Sequence, residues 1–471
     1  MKVFLLAKTC NNIELKVSWA SMKKFRLTKG LDIPLEGAPD QVIRFDPDIG
    51  HVALLGDDYI GLKPTMLVKE GEAVKLGQPL FTDKKNPGIV FTSPGCGTVK
   101  KINRGPKRKF DSLVISLEGH EEITFPGLNG REVNTIQPDE IRTTLQESGL
   151  WCGFKTRPYG KIPVVDAYPT SLFVTAIDTA PLAADPQVIL TRHREDFSLG
   201  LNILRHFLSV PLNLCVADGF DPSGLDTEQI NLFCFSGPHP AGLPSTHIHF
   251  IDPVHAKKEV WHICYQDVIG IGHLYRTGRI STERIISLAG PGIQSPALAR
   301  TRSGASITEL CREITSEAPE YRVVSGSVLD GRQAIGTHAY LGRYHRQVSV
   351  IPEGSGRGFL NWLKPGGDRF SITGLFISTF LQGKKFAMNS AAWGGERAIF
   401  PLGSYEKVMP IDIVATSLLK SLAVGDIEKS EDLGCLELIE EDVALCSFVC
   451  PGKNNYGPML REILTIMEKE G

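Results

Sequence analysis

The stretch EEDVALCSFVCPGK, residues 440–453, sets Cys446 and Cys450 with three residues between them, directly ahead of Pro451. Thiolates so spaced are ligands for iron: the bacterial four-iron signature runs C-x2-C-x2-C-x3-C-P, because closely spaced sulfurs fold round one face of a cube. Counting back from Cys446, the two remaining positions hold Val443 and Glu440, and Cys435 is out of register. Half of the signature is present, so Cys446 and Cys450 read as a vestigial motif or a buried helix terminus, and no metal is expected. A second group is His239, His247, His249, His255 and His262. Catalytic zinc takes three such ligands and an open position. Read as a strand, the segment puts His247 and His249 on one face, with no cysteine pair or H-E-x-x-H to complete a set, which is the pattern of hydrogen-bonding histidines.

A flavin or dinucleotide needs a glycine-rich loop between strand and helix, so that backbone amides reach the phosphates. No G-x-G-x-x-G and no P-loop occurs. Where such a loop is due, GLWCGFKTRPYGKIPVVD spaces Gly149, Gly153 and Gly160 widely and crowds them with Trp151, Phe154, Pro158 and Tyr159, although Lys155, Arg157 or Lys161 could meet a phosphate. No G-x-S-x-G, S-x-x-K or paired-carboxylate arrangement rises above chance either.

The elements that must carry these residues divide a chain of 471 residues, too long for one core, into several domains. From about Met66 to Leu117, β-branched runs broken by Gly and Pro every few positions predict a small all-β unit. Residues 135–150 carry Ile141, Leu145 and Leu150 at helical spacing behind Pro138-Asp139-Glu140. From 161, KIPVVDA, SLFVTAID, DPQVIL and LNLCVAD read as strand-like runs alternating with the helical REDFSLGLNILRHFLS, the order of an α/β domain with a mostly parallel sheet. Then RIISLAGPG, a helix opening at Gly304-Ala305-Ser306, and YRVVSGSVLDGR give a β-grasp-like strand, helix, strand. The last hundred residues hold three amphipathic helical segments: MPIDIVATSLLKSLAVGD, SEDLGCLELIEEDVALCSFVC and GPMLREILTIMEKEG.

Charge is balanced, 51 Lys+Arg against 53 Asp+Glu, so no global field selects nucleic acid. Ten scattered cysteines without paired spacing fit a reducing compartment. The apolar run Val3–Ala7 is too short for a secretory signal, and ITGLFISTFL, Ile372 to Leu381, is about half of the ~20 residues that span a bilayer. Residues 1–21 read as an extension before a second start at Met22.

The order V-x-E-G-E-x-V-x-x-G-x-x-L, a Lys-bearing tip and S-P-x-x-G-x-V-x-x-I resembles the biotinyl/lipoyl barrel-sandwich family, with Lys84 and Lys85 near the modified position. The tip lacks Met-Lys-Met and runs into Pro87, so the unit is expected to be structural. Together KGLDIPLEG, DKKNPGIVFTSP, INRGPKR, ESGLW, TRPYGKIP, GPHPAGLPSTHIHF, YQDVIGIG, SLAGP, GTHAYLGRYHRQVSV, YEKVMPIDI and LCSFVCPGK resemble the family of the A subunit of the Na+-translocating NADH:quinone oxidoreductase (Na+-NQR) from about Phe25 to the end. That family is similar to the C subunit of the Rnf complex and, more distantly, to the flavin subunit of respiratory complex I.

The resemblance implies a multidomain α/β chain: an extension (1–24), a barrel-sandwich hybrid domain (25–125), a Rossmann-like α/β domain (126–280), a β-grasp SLBB-like domain (281–375) and a helical domain (376–471). It implies a peripheral subunit on the cytoplasmic face of the bacterial inner membrane, in a six-subunit complex that includes integral membrane subunits. NADH, flavins and iron–sulfur centres would sit in other subunits, and this chain would hold none. Ubiquinone would meet the remnant of the flavin site, with Trp151, Arg157, Tyr159 and His239 as candidate lining residues. A flavin or iron–sulfur subunit of Rnf type is the alternative, and an acyl-carrier or carboxylase component a third.

Overall fold

The computed structural model describes residues 22–226, 229–312, 320–354, 365–381, 383–392, 394–395 and 397–470. The expected extension therefore lies outside the described residues up to residue 21.

The α/β domain is organised by a six-stranded sheet in the order Lys23–Arg26, Ile230–Ser236, Leu212–Ala217, Leu172–Ala176, Val260–Cys264, Lys155–Arg157. The first five strands run parallel and the last is an antiparallel edge. Leu172–Ala176 is buried at every position, as a central parallel strand covered on both faces must be. Helices Arg194–Leu208 and Tyr265–Thr277 pack together on one face; on the other, helix Pro244–Ile251 supplies Ile248 to a small apolar cluster with Phe173, Cys215 and Phe235. The two large helices meet through glycines: a Cβ on Gly272 would lie 1.7 Å from the Asp196 carbonyl oxygen, and one on Gly200 would lie 2.1 Å from that of Val268.

Three sequence expectations are corrected here. DPQVIL is not a strand: Asp185 caps, and Pro186 opens, the helix Pro186–Arg192. The histidine segment is likewise a helix, entered at Pro244, so His247 and His249 do not share a strand face. KIPVVDA is irregular, because Pro163 offers no N–H to a ladder and its carbonyl accepts instead from the Trp151 indole at 2.9 Å.

The barrel-sandwich unit pairs a four-stranded sheet (His51–Leu55, Phe110–Leu117, Gly97–Arg104, Ala73–Val74) with a three-stranded one (Pro64–Met66, Pro79–Asp83, Val90–Thr92). Phe81 stacks on Phe91 and meets Phe110 edge-on between them. Lys84 and Lys85 are exposed at the tip as expected. The hairpin from Gly97–Arg104 to Phe110–Leu117 closes through Pro106 to Lys109, where the Pro106 carbonyl accepts from Lys109 N–H at 3.1 Å, and the two central residues, Lys107 (φ 53°) and Arg108 (φ 60°), are both left-handed. This is the I′ arrangement that Asn-Gly favours; non-glycine residues occupy it at a cost of roughly 1–2 kcal/mol each.

The β-grasp sheet is mixed: Arg332–Gln333, Tyr321–Ser325, Gln347–Pro352, Glu283–Ala289, Ala297–Arg302, Asp40–Phe45. The first twenty residues of the stretch expected as barrel-sandwich thus serve other sheets. Lys23–Arg26 edges the α/β sheet, Asp40–Phe45 edges the β-grasp sheet, and the strap between them reaches the helical domain, where Gly30 N–H donates to the Lys407 carbonyl at 2.8 Å. Helices Ala415–Val424 and Tyr456–Glu470 lead the C-terminal domain as expected, whereas SEDLGCLELIEEDVALCSFVC is broken at Gly434 (φ 88°) into short turns before Ala444–Val449. One apolar cluster runs through the barrel-sandwich, α/β and β-grasp units, and a separate one fills the helical domain.

Candidate functional site

From Leu172–Ala176 the chain of the α/β sheet runs outward to Leu212–Ala217 and Ile230–Ser236, then returns to add Val260–Cys264 on the other flank. Such a reversal leaves a crevice beyond the carboxyl ends of Leu172–Ala176 and Val260–Cys264, the place where open parallel sheets bind ligands. The loop leaving Ala176, Ile177-Asp178-Thr179-Ala180-Pro181-Leu182-Ala183-Ala184-Asp185, has no glycine. The N-terminus of the following helix is already taken, since Asp185 accepts from Gln187 N–H at 2.9 Å. A side chain of the β-grasp domain closes the crevice instead. Arg346 donates through Nε and Nη2 to Asp178 Oδ2 at 3.0 and 2.9 Å, and its Nη1 lies 3.6 Å from Cys264 Sγ, so one guanidinium spans both strand ends. Neither loop offers what a flavin phosphate requires.

The walls come from three domains. Lys155, on the antiparallel edge strand, sets its ammonium 3.6 Å above the Tyr344 ring, and Tyr344 Oη donates to the Cys152 carbonyl at 2.9 Å. Burial, opposed by Glu441, brings the Lys155 amine down to about 8. Asp330 of the β-grasp domain is exposed; protein packed on one side of its carboxyl, with Glu441 and Asp178 nearby, raises its pKa above the ordinary carboxylate value. Leu182, Val328, Leu329 and Tyr159 are partly buried against the helical domain's core and add apolar surface.

Arg157 joins this crevice to the helical domain. Its side chain is fully buried, and every nitrogen is used: Nε donates to Ser245 Oγ at 3.0 Å, Nη1 to His262 Nε2 at 2.7 Å, and Nη2 to Glu441 Oε1 at 3.1 Å. His262 must accept there, so it is neutral with its proton on Nδ1; burial and then Arg157 hold its pKa well below the usual value. Ser245 passes the chain on to Asp442 Oδ2 at 2.7 Å, and burial, with Glu441 alongside, raises the Asp442 carboxyl. His239 is also buried. Its Nδ1 lies 3.1 Å from Thr179 Oγ1, its N–H donates to Asp32 of the N-terminal strap at 2.9 Å, and burial lowers its pKa.

Of the four candidates read from sequence, Arg157 and His239 lie behind the crevice wall, Arg157 fully buried and His239 nearly so. Tyr159 sits at its edge, half-buried with φ 77°, its carbonyl accepting from Arg461 Nη1 at 2.7 Å. Trp151 does not line it: the ring is fully buried among Phe154, Phe207 and Trp261, with no accessible surface to offer. Sequence reasoning missed Lys155 as a wall and missed Asp178, Asp330, Glu441 and Arg346 altogether. The only signal was Arg343-Tyr344-His345-Arg346, a dense run of polar residues entering a strand.

The cysteine pair lies elsewhere, inside the helical core. Cys446 is buried, which pushes its thiol up to about 12. Cys450 Sγ accepts from Tyr405 Oη at 3.2 Å and lies 3.4 Å from Tyr456 Oη; burial opposes its ionisation, but these hydroxyls bring its pKa below the usual value. At the other two positions of the signature, Glu440 is held by Arg461 at 2.6 and 2.7 Å and Val443 is buried in the core. Among the described residues no three His, Cys, Asp or Glu side chains converge as metal ligands. This donor set does not fit a cluster.

Three family models match the chain: the NqrA N-terminal barrel-sandwich hybrid domain over residues 25–118, the NqrA second alpha/beta domain over 136–280 and the NQRA C-terminal domain over 285–336. The A subunit of the Na(+)-translocating NADH-quinone reductase of Histophilus somni (strain 2336) is 52% identical over 445 residues, 94% of this chain and 99% of that one. That of Photorhabdus laumondii is 50% identical over 446 residues, 95% of this chain and 100% of that one. A chain from the crystal structure of NAD+-reducing [NiFe]-hydrogenase in the air-oxidised state aligns with 46% of this chain and 47% of its own length, at a TM-score of 0.35 and 13% identity. Among the described residues no helix is long and apolar enough to cross a membrane. With half of its residues shared end to end with these relatives and the domain order matched in three places, the chain belongs to the NqrA family, the A subunits of the Na+-translocating NADH-quinone reductase.

Proposed function

We propose that this chain is a peripheral subunit of a six-subunit Na+-translocating NADH:ubiquinone reductase, docked on integral membrane subunits at the cytoplasmic face of the bacterial inner membrane. The observation that carries this reading is the 52% identity to a named A subunit over 94% of the chain. In this reading the chain holds no flavin, nicotinamide or iron–sulfur cluster of its own, and those reside in the other subunits. Its relation to the C subunit of the Rnf complex would be a shared scaffold whose redox sites have gone from this chain. Support comes from the strand ends, where Arg346 pairs with Asp178 and no glycine-rich loop is present, and from Glu440 and Val443 in place of two cluster cysteines.

Ubiquinone is the ligand proposed for the crevice. A quinone head needs an apolar slot with a few hydrogen-bond donors. Leu182, Val328 and Leu329 supply apolar wall, and Lys155 and His239 supply donors. The chain's part in quinone reduction would be to hold the head group and support assembly, with electrons arriving from partners.

The test is to purify the chain without oxygen, assay flavin, iron and sulfide, and titrate the assembled complex and its Lys155→Met variant with a short-chain ubiquinone. Cofactor-free chain and a loss of about tenfold in quinone affinity on removing one charged donor are expected. Bound flavin or roughly four irons per chain would replace this reading with the Rnf-type subunit, and unchanged affinity would move the quinone to a membrane partner.

A further inference from the structure

Between Lys100 and Lys109 the barrel-sandwich domain carries six cations in ten residues, Lys100, Lys101, Arg104, Lys107, Arg108 and Lys109, with no acidic residue among them, in a chain of formal net charge −2. Two of the six are spoken for: Lys109 pairs with Asp57, and Lys100 Nζ lies 3.0 Å from His51 Nε2. Among the described residues Lys101, Lys107 and Arg108 are exposed and make no ion pair, and Arg104 reaches only the Arg108 carbonyl at 3.4 Å. Asp111, beside Gly105, joins no ion pair with them.

The backbone beneath these charges is rigid and unfavourable for the residues it carries. Arg108 N–H donates to the Gly105 carbonyl at 3.1 Å and Gly105 N–H to the Lys109 carbonyl at 2.8 Å, while Phe110, immediately after the tip, is buried against Phe81. Lys107 and Arg108 occupy the two left-handed positions of the turn, φ 53° and 60°, where Asn-Gly would relieve the strain. Strain retained at an exposed tip, where nothing in the fold demands those side chains, is the kind of outlier from which a functional constraint is inferred.

We propose that the Arg104–Lys109 hairpin tip is a docking element for an acidic protein surface, a set of fixed carboxylates on another chain of the reductase. The rigidity decides between anionic occupants. A bilayer of mobile anionic headgroups binds a flexible polybasic segment as well as an ordered one, so it gives no reason to hold a strained turn. Fixed carboxylates reward fixed cations through steering and register. The tip also offers only Pro106 as apolar surface, without the aromatic or aliphatic anchors of membrane-interface segments. The inference rests on the chain being a component of the reductase.

The experiment uses the full chain and reductase complex prepared from cells lacking it. Association of labelled chain with the depleted complex is followed against ionic strength for wild type, Lys107→Asn/Arg108→Gly and the charge-keeping Lys107→Arg/Arg108→Lys. The Asn-Gly variant relaxes the turn, so its thermal unfolding should move up by about 2–4 °C, which separates loss of docking from loss of fold. Its association should be about tenfold slower at low salt and converge on wild type near ~0.5 M salt, where charges are screened within a few ångströms; the charge-keeping variant should match wild type throughout. Equal rates for the Asn-Gly variant at low salt would overturn the proposal, as would a charge-keeping variant that is equally slow. Flotation of wild type, but not of the Asn-Gly variant, with vesicles of one part phosphatidylglycerol to three parts phosphatidylcholine would overturn it in favour of lipid. Failure of the wild-type chain itself to associate would instead strike at the reading of the chain as a reductase component, on which the inference rests.

Discussion

At the scale of single residues the chain invests in buried charge. Arg157 is enclosed by Ser245, His262 and Glu441, and removing one partner from a buried ionic network leaves the others without compensation. Arg157→Met should lower stability by about 3 kcal/mol, read as a fall in the urea midpoint. Asp442 gives a pH test with a definite sign. Burial raises its folded-state pKa above the ordinary 3.8, so the folded chain holds a proton that the unfolded chain releases. Its contribution to stability is therefore largest below about pH 4 and is lost as pH rises through the folded-state value. Asp442→Asn should remove that decline from the pH dependence of the unfolding midpoint; identical slopes for variant and wild type would contradict it. Arg157 stood out in the sequence as a cation in a crowded stretch and His239 as one of a histidine group, and both became candidate lining residues only through the family resemblance. Lys155 was legible only as a phosphate-binding candidate, because nothing local says that Tyr344 of another domain lies under its ammonium.

At the scale of elements, glycine decides the central helix pair. Gly272 and Gly200 let Arg194–Leu208 and Tyr265–Thr277 approach until backbone meets backbone, and the bidentate pair from Arg276 to Asp196, at 2.6 and 2.9 Å, spans the same contact. Gly272→Ala would drive a methyl into the Asp196 carbonyl, and overpacking of this kind costs about 1–3 kcal/mol. The expected result is a lower unfolding temperature for the α/β unit; an unshifted transition would mean that the helices slide apart freely. Helices with strong periodicity, such as Arg194–Leu208 and Tyr456–Glu470, were readable in advance. Pro186–Arg192 and Pro244–Ile251 were not, because seven or eight residues carry too few turns for a helical period to outweigh β-branched composition; the Pro at the first helical position was the overlooked signal.

At the scale of the molecule, two apolar cores share one chain. The barrel-sandwich, α/β and β-grasp units form a continuous cluster, whereas the helical domain has its own core; partly buried Tyr159, Leu182, Val328 and Leu329 pack against its surface, and Arg157 with Glu441, Lys161 with Glu468 and Arg461 with the Tyr159 carbonyl add polar contacts. A few partly buried apolar residues and polar pairs transmit cooperativity poorly compared with a shared core. Calorimetry should accordingly resolve two transitions, and Glu441→Gln should separate them further; a single transition in both chains would show that the crevice couples the domains more tightly than its contacts imply. The strap from Lys23 to Phe45 edges two sheets and, through buried Ile33 and Leu35 and the Gly30 to Lys407 hydrogen bond, packs non-covalently against the helical domain, so it ties the two cores together.

The sequence by itself determined the family, the order of the domains and the defects in two redox signatures, because motif spacing, hydrophobic period and the identity of a missing ligand are all local properties. Glu440 cannot be a thiolate wherever it lies. Only the tertiary structure decided what occupies the crevice. Arg346, Asp178, Lys155, Asp330 and Glu441 are scattered over nearly three hundred positions, and their common site exists because a sheet reverses its winding between Leu172–Ala176 and Val260–Cys264 and three domains close over the gap. Trp151 marks the same boundary from the other side: its composition suited a ligand pocket, and packing among Phe154, Phe207 and Trp261 put it in the core.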